Sequence, residues 1–496
     1  MRFRDLADLA AALEATRARR RMVELTAALL GRAAPADRAR IVYLLQGQLR
    51  PAYEGVELGL GERLLVDVLA RLTGASTATL RRRLGVLGDI GLVAEERGLA
   101  RRGKALTIAE VHAGLLAVAG TSGTGSVEGK ARHMVALLAR ATPLEARFLL
   151  RIAQGRLRLG MGDQTILEAA ALGALGDRAA KGRLEELYNV RSDLGAVVRL
   201  AFEGRGKRLV VTPVPGVPVR PALAQRLPSA RAIVERLGRV RVEPKYDGFR
   251  LQLHRDGAKV WAFSRRLEDV TAMFPELVTA CRRQLTARRA ILEGEAVSYD
   301  PETGEFFPFQ VTMTRKRKHA VDEARERSPL RLFAFDLLLA GRESCLGWPQ
   351  KRRSEALARL LRGGAEAPIQ ITPSLTTDKA KAVENYFDEM VGRGLEGIVA
   401  KRIDAPYRAG ARGYDWVKLK RAYQSHLRDT VDLVLVGYFR GRGRRAGTGI
   451  GSLLGATYDP KHDRYRTLAR IGSGLTEEGW RSLRRRLDRD AVRTRP

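Results

Sequence analysis

One lysine stands in a setting that suits covalent chemistry. The segment Glu243-Pro-Lys245-Tyr-Asp247-Gly248-Phe-Arg250 lies between a predicted strand that ends at Glu243 and another that starts at Arg250. A lysine at a strand end, followed by a glycine turn, presents its amine to a cleft. A free amine is a nucleophile and a guanidinium is not. Because only ~0.1% of an ordinary lysine is free amine near neutral pH, a nearby cation or burial must activate it.

The short pattern alone would also fit a surface lysine in a turn, but further motifs follow it in order. They are Phe263-Ser-Arg265-Arg-Leu-Glu-Asp269, Leu292-Glu-Gly-Glu295-Ala-Val297, Phe309-Gln310-Val-Thr-Met-Thr-Arg315-Lys-Arg-Lys318, Phe333-Ala-Phe335-Asp336, Glu396-Gly397-Ile-Val-Ala-Lys401 and Arg412-Gly-Tyr-Asp-Trp416-Val-Lys418-Leu-Lys420. This ordered set resembles the covalent nucleotidyltransferase superfamily, and in detail the ATP-dependent DNA ligases of the archaeal and bacterial type. The resemblance covers nearly the whole chain.

The resemblance implies an enzyme that seals 5′-phosphate/3′-hydroxyl nicks in duplex DNA, in replication, repair or recombination. Lys245 would attack the α-phosphorus of ATP, release pyrophosphate and carry AMP as a phosphoramidate. The AMP would then pass to the 5′-phosphate of a nick, and the 3′-hydroxyl would attack that activated end and expel AMP.

The resemblance also assigns nucleotide binding to side chains around the lysine. Glu243 would contact the adenine and Phe335 would stack on it, while Arg250 and Arg265 would bind the ribose and the 5′-phosphate of the nick. The full set implied for ATP or AMP binding is Glu243, Arg250, Arg265, Glu295, Phe335, Lys401, Arg412, Lys418 and Lys420.

A divalent cation, Mg²⁺ or another, is expected beside the phosphates. Glu295 and Glu396 are the candidate ligands, since magnesium takes few carboxylates together with waters and phosphate oxygens. Lys418, Lys420 and the cation would activate Lys245 and neutralise the charge that develops on phosphate.

The elements that must position these residues form a multidomain chain. Residues 1–205 show helical spacing, as in Phe3, Leu6, Leu9 and Leu13, and we expect an all-α DNA-binding domain. A signature occurs twice there, as Gly47-Gln-Leu-Arg50 with Leu58-Gly-Leu-Gly61-Glu62 and as Gly155-Arg-Leu-Arg158 with Leu159-Gly-Met-Gly162-Asp163. We interpret it as an internal duplication. Each glycine turn before a helix start either caps the helix or binds backbone phosphate.

The pattern becomes mixed and then β-rich further along the chain. Prolines between 213 and 228 predict a stiff linker at a domain boundary. Residues 206–422 predict an α+β adenylation domain, with a hairpin at Asp256-Gly257, strands at 291–297, 332–338 and 397–400, and helices at 351–361 and 379–391. From Thr430 the pattern suggests strands around a turn at 441–451, as in the opening of a small barrel. The resemblance implies that residues 423–496 are part of a β-barrel of the OB-fold type.

The end of the chain departs from the family pattern. The family's OB domain runs on to a late element, near an R-x-D-K, that contacts the β- and γ-phosphates, and we find no such element after Gly474. We expect the third domain to be incomplete. On that expectation, self-adenylation by ATP is weakened while sealing of pre-adenylated DNA survives better.

Composition agrees with a polyanionic partner. The 496-residue chain carries 89 Lys+Arg against 56 Asp+Glu, a formal net charge of +33. This balance argues against a neutral small-molecule enzyme and favours nucleic acid over an anionic membrane surface. There is no stretch of the about 20 apolar residues needed for a membrane span and no signal-peptide core. We therefore expect a cytoplasmic, nucleoid-associated protein that binds nicked duplex DNA without a membrane, and a monomer by family resemblance.

Three alternatives remain open at this point. An RNA ligase or mRNA capping enzyme shares the lysine chemistry, although the long helical region with its repeated G-x-L-R favours duplex DNA. An NAD-dependent ligase carries a zinc-binding cysteine set, which Cys281 and Cys345 alone cannot form. A non-catalytic DNA-binding scaffold would leave the motifs from Glu243 to Lys420 without a role.

Overall fold

The computed structural model describes residues 1–99, 103–204, 211–314, 328–364, 366–421, 432–441, 449–460 and 462–492. These residues fall into two units. The first contains 1–49, 56–173 and the described part of 428–496, and the second contains 50–55 and the described part of 174–427. The predicted strand start at Thr430, most of the predicted turn at 441–451 and the basic run Arg315–Lys318 lie outside the described residues.

The described N-terminal residues are helical, as the sequence predicts. In α1 the predicted face of Phe3, Leu6, Leu9 and Leu13 is buried, because these side chains recur on one side of a 3.6-residue turn. The helices are α1 (Phe3–Ala15), α2 (Arg19–Arg32), α3 (Pro35–Gln46), α4 (Glu62–Thr73), α5 (Thr77–Leu87), α6 (Ile90–Glu96), α7 (Ile108–Gly120), α8 (Ser126–Leu138), α9 (Pro143–Ala153), α10 (Asp163–Leu175), α11 (Lys181–Arg191) and α12 (Leu194–Phe202).

The two copies of the repeated signature occupy matching places in the first unit. Gly47 ends α3 and Gly155 follows α9, with φ of 70° and 64°. A Cβ on Gly47 would lie 3.2 Å from the Cα of Gly155, so glycine permits this close approach of the two segments. Gly61 precedes α4 and Gly162 precedes α10. The predicted glycine turns before helix starts are therefore present, and their placement supports an internal duplication.

The second unit contains the predicted mixed α+β region. Its strands are β1 (Leu223–Arg226), β2 (Val240–Pro244), β3 (Phe249–Asp256), β4 (Lys259–Ser264), β5 (Arg289–Ser298), β6 (Leu330–Ala340), β7 (Glu343–Ser344), β8 (Ile369–Ile371), β9 (Leu375–Thr377), β10 (Gly397–Arg402) and β11 (Arg412–Lys420). Its further helices are α13 (Ala230–Leu237), α14 (Pro275–Gln284), α15 (Phe309–Thr314), α16 (Gln350–Leu360) and α17 (Ala380–Gly392). The predicted hairpin, strands and helices of this region are confirmed within a few residues at each end.

These strands form two sheets in the described residues. One has the order β1-β11-β10-β2-β9, in which β1 runs parallel to β11 and the other neighbours are antiparallel. The other has the order β4-β3-β5-β6-β7, with β8 parallel to β6. Helices α13 and α17 bury Ile233 and Phe387 against the first sheet, while α14 and α16 bury Leu277 and Leu357 against the second. The packed helices leave other side chains of both sheets free to line a common cavity.

The linker prediction is wrong for the second half of the proline-rich stretch. Val219 and Ala222 are buried, and Leu223–Arg226 pair with β11 as an edge strand. Prolines are tolerated at the start of an edge strand, where a missing N–H breaks no ladder bond. The parallel partner is distant in sequence, so the local pattern gave no sign of this pairing.

The C-terminal part is rich in strands, as expected. Strands β12 (Val434–Arg440), β13 (Ile450–Asp459) and β14 (Arg464–Ile471) form an antiparallel sheet in that order. Helix α18 (Glu477–Arg489) packs the buried Trp480 against Ile450 and Leu453. Elsewhere in the chain, Cys281 and Cys345 are buried and free. Among the helices described, none has both the length and the hydropathy to cross a lipid bilayer.

Candidate active site

A cavity of about 540 Å³ opens between the two sheets of the second unit. Strands of the first sheet supply one wall and strands of the second sheet the other. The cavity brings together every residue that the sequence assigned to the site: Glu243, Lys245, Arg250, Arg265, Glu295, Phe335, Glu396, Lys401, Arg412, Lys418 and Lys420.

Lys245 lies just beyond the end of β2, where its backbone is fixed by the neighbouring strand. The Lys245 N–H donates to the carbonyl of Gly397 at 2.9 Å. Gly248, three residues on, runs so close to β5 that a Cβ there would lie 2.4 Å from the carbonyl oxygen of Ala296. Glycine at this position therefore sets the path of the loop that presents the lysine.

A cluster of opposite charges surrounds the Lys245 amine. Glu396 forms ion pairs with both Lys245 and Lys420, the latter at 2.8 Å. Burial opposes ionisation of Glu396, but the hydrogen bonds from the two ammonium groups outweigh it and hold the pKa of Glu396 below its ordinary value. Burial, followed by the nearby cations Lys420 and Lys245, lowers the pKa of Lys418. The cavity thus concentrates positive charge beside the Lys245 amine.

The opposite end of the cavity has aromatic walls and a buried ion pair. The Lys401 Nζ lies 2.7 Å from Glu243 Oε2, and both side chains are almost fully buried. Lys401 also donates to the carbonyl of Phe335 at 3.0 Å, and its Nζ lies within 4.5 Å of the ring centroids of Phe335 and Trp416. A carboxylate held this way can accept a hydrogen bond from the exocyclic amine of a base, while the rings offer a flat apolar surface.

The arginines approach the cavity from β3 and from the turn after β4. Arg250 donates to Glu293 Oε2 at 2.7 Å and to the carbonyl of Ala222 at 2.8 Å. Arg265 is exposed and lies in a turn closed by the N–H of Leu267 donating to the carbonyl of Ser264 at 2.8 Å. The Arg265 guanidinium is therefore available at the cavity wall for phosphate or ribose oxygens, whereas the Arg250 guanidinium lines the wall with two of its donors already bonded to Glu293 and Ala222.

The two predicted metal ligands are both on the cavity wall. Burial raises the pKa of Glu295 to about 7, partly opposed by Arg250, Lys245 and Arg265. Across the described ranges, no group of three or more His, Cys, Asp and Glu side chains is arranged to hold a metal ion without other ligands. Two carboxylates still fit a magnesium ion, because that ion keeps several waters and binds substrate phosphates.

Some cavity residues were not assigned from sequence. Trp416 stands two and four residues before Lys418 and Lys420 on β11, so the alternation of a strand places all three on one face. That alternation was a usable signal for Trp416. Leu223 and Ala224 also line the cavity. They belong to β1, which the sequence pattern predicted as a linker because of its neighbouring prolines.

Family models match two parts of the chain. Residues 2–171 match the model described as DNA ligase N terminus. Residues 221–420 match the model described as ATP dependent DNA ligase domain. The second match covers the strands that carry the cavity, and the first covers most of the helical part.

Relatives of known name agree over nearly the full chain. The probable DNA ligase of Dictyoglomus thermophilum is 43% identical over 497 residues, which cover 100% of this chain and 85% of that protein. The DNA ligase of Pyrobaculum calidifontis is 42% identical over 97% of this chain and 83% of its own. A solved structure described as Pmar-Lig_PreS3 has the same fold at a TM-score of 0.55 and 16% identity, over 97% of this chain and 91% of that one. From its family matches and its relatives, the chain belongs to the ATP-dependent DNA ligase family.

Proposed function

We propose that this protein seals 5′-phosphate/3′-hydroxyl nicks in duplex DNA through an AMP group carried on Lys245. The observation that carries the proposal is the meeting of Lys245, the buried Glu243–Lys401 pair and the Lys418–Lys420 cations in one cavity. This arrangement offers a nucleophile, a base-binding pair and phosphate-binding cations within one cavity.

In the first step the Lys245 amine attacks the α-phosphorus of ATP. A P–N bond forms, the bond to the β-phosphate oxygen breaks, and pyrophosphate leaves with that electron pair. The attacking amine must first lose a proton, and Glu396 is the carboxylate in contact with it. Lys418 and Lys420 face the phosphates and offset the negative charge that develops as pyrophosphate leaves.

The base end orients the adenosine for both this step and the next. Glu243 accepts from the exocyclic amine of adenine, and Phe335 stacks on the ring. Lys401 pairs with the Glu243 carboxylate and fixes its position. Arg250 and Arg412 hold the nucleotide. Arg265, at the exposed mouth of the cavity, binds the 5′-phosphate of the nick. In the second step an oxygen of this 5′-phosphate attacks the phosphorus of AMP, and the bond from that phosphorus to the Lys245 nitrogen breaks.

In the last step the 3′-hydroxyl of the nick attacks the activated 5′-phosphorus. The hydroxyl proton passes to solvent, the new phosphodiester bond forms as the bond to AMP breaks, and AMP leaves with the electron pair of that bond. A divalent cation, held by Glu295 and Glu396 together with phosphate oxygens, would supply further positive charge at the phosphates.

We propose that much of the remaining chain binds the DNA substrate. We propose a helical DNA-binding domain at 1–205, an adenylation domain at 206–422 and an OB-fold domain beginning at 423, of which the β12-β13-β14 sheet is part. The repeated glycine turns before α4 and α10 would bind backbone phosphate with exposed amides. A net charge of +33 supports this partner. The protein would act as a monomer on the nucleoid in the cytoplasm, where duplex DNA is found.

Incubation with α-labelled ATP and Mg²⁺ tests the proposal. The wild-type chain should retain label through denaturation, and Lys245→Ala should retain none. The labelled protein should then seal a nicked DNA duplex and discharge AMP, with much lower activity on a nicked RNA duplex. An unlabelled wild type would leave the scaffold alternative, label on Lys245→Ala would refute the nucleophile, and preference for RNA would favour an RNA ligase.

A further inference from the structure

A closed ring of hydrogen bonds lies behind the nucleotide cavity. The Ala222 N–H donates to the hydroxyl of Tyr407 at 2.9 Å, and that hydroxyl donates to Glu293 Oε2 at 2.7 Å. Arg250 donates to the same Glu293 oxygen at 2.7 Å and closes the ring on the Ala222 carbonyl at 2.8 Å. The other Glu293 oxygen accepts from Gln252 at 3.2 Å. The ring thus joins one arginine of the cavity to the segment that enters β1.

Three members of the ring, Ala222, Glu293 and Tyr407, are buried and absent from the cavity wall. Tyr407 is 4% exposed and Glu293 is 1% exposed, and neither lines the cavity. Arg250 does line it, and so do Leu223 and Ala224, which follow Ala222 directly. Tyr407 is therefore not itself open to a nucleotide, but its hydroxyl contacts two groups that fix positions on the cavity wall.

The ring also explains how a buried carboxylate is tolerated here. A buried charge without partners is strongly unfavourable, and Glu293 meets this requirement with a guanidinium, a phenol and an amide. The Tyr407 ring is itself fixed edge-on against Trp416 of the cavity wall, 5.7 Å between centroids. Packing therefore fixes the position of the Tyr407 hydroxyl, and its hydrogen bonds then fix Glu293 and the Ala222 N–H.

We infer that Tyr407 is a positioning residue for nucleotide binding, acting through Glu293 and Arg250. This inference rests on the proposed function, in which Arg250 holds the nucleotide. Without the hydroxyl, Glu293 Oε2 loses one donor and the Ala222 N–H loses its acceptor. Glu293 and the Arg250 guanidinium bonded to it are then less firmly fixed, and the segment before β1 is free to shift away from the cavity.

Tyr407→Phe tests this by removing one oxygen atom. ATP affinity is measured by calorimetry in proteins that also carry Lys245→Ala, so that no chemistry follows binding. We expect affinity to fall about tenfold, the effect of one lost hydrogen bond with its partners left unsatisfied. In proteins that keep Lys245, the ATP concentration for half-maximal labelling should rise by a similar factor, while the maximal labelling rate changes less than about threefold.

A double-mutant cycle separates positioning from general loosening of the fold. In an Arg250→Lys background the effect of Tyr407→Phe on ATP affinity should shrink to less than about twofold, because the two changes act on one ring. Tyr299→Phe, which removes a hydroxyl from the same unit outside the ring, should leave affinity and labelling at wild-type values. All affinities are referred to the folded fraction measured by thermal unfolding.

The outcomes distinguish this inference from the proposed function. Wild-type protein that binds ATP but takes no label would overturn the proposed covalent step, while the calorimetric cycle would still decide the role of Tyr407. Unchanged affinity in Tyr407→Phe, or equal losses in the Arg250 and Arg250→Lys backgrounds, would overturn the positioning role. Absence of ATP binding in every protein would overturn both.

Discussion

Gly248→Ala should lower the rate at which Lys245 reacts with ATP, although it leaves the Lys245 side chain unchanged. A Cβ at residue 248 would lie 2.4 Å from the carbonyl oxygen of Ala296 and 3.0 Å from a methyl of Val297, whereas ordinary contact begins at 3.4 Å. The Ala296 carbonyl cannot yield easily, because β5 is held between β3 and β6. The loop that carries Lys245 must therefore move by about 1 Å, and a displacement of this size at a reacting group lowers the rate about 10²-fold.

The assay is single-turnover formation of the labelled lysyl adenylate at saturating ATP. Gly248→Ala should label about 10²-fold more slowly than wild type, while sealing of a pre-adenylated nick should suffer less, since Lys245 is not the nucleophile in that step. Gly347→Ala is the matched control, because a Cβ there meets nothing within 4 Å. A folded Gly248→Ala protein that labels within about threefold of wild type would refute the reasoning from backbone approach.

Three further predictions concern the nucleophile, a buried histidine and DNA binding. Lys245→Arg keeps a positive charge opposite Glu396 but removes the nucleophile, so covalent labelling should be lost while the melting temperature stays within a few degrees of wild type; any retained label would contradict this. Burial lowers the pKa of His254 to about 3 from 6.5, so below about pH 6.5 the unfolded chain takes up a proton that the folded chain does not. Denaturant titrations should show a loss of about 1.4 kcal/mol per pH unit in the unfolding free energy from about pH 6 to 4, removed in His254→Gln and kept in the exposed His133→Gln. Binding of nicked duplex should weaken at least about 10³-fold between about 50 and 200 mM salt and should not depend on sequence, in fluorescence titrations of two unrelated duplexes.

The candidate site could be predicted from sequence because its residues stand in ordered motifs that resemble those of a known family, and these motifs fall at strand ends and on alternating strand positions. Lys401 on β10 and Trp416 on β11 pair directly across the sheet, and Glu243 on β2 pairs with Val399 of β10. Motif order brings these positions together once the strands form. The apolar alternation around them predicted β3, β5 and β6 for the same reason.

The supporting contacts could not be predicted, because they depend on pairings distant in sequence. Tyr407 lies in a segment without regular structure, and its partners Ala222 and Glu293 are more than a hundred residues earlier in the chain. The same holds for β1, whose pairing with β11 overrides the extended linker that its prolines suggested. Local sequence patterns therefore identify the residues that line the cavity more readily than they identify the residues that hold those cavity residues in place.

On the proposed function, the electrostatics of the cavity would favour strong binding of a triphosphate. Lys418 lies among like charges, and after burial its pKa is lowered most by Lys420 and Lys245. One carboxylate, Glu396, is shared between two of these three ammonium groups. Crowded cations of this kind raise the free energy of the site without ligand, and an incoming polyphosphate removes that repulsion. On the proposed mechanism, release of pyrophosphate after the first step would restore part of this repulsion. The remaining AMP would then be held by the covalent bond and the base end of the cavity, and the phosphate end would be open to the 5′-phosphate of a nick.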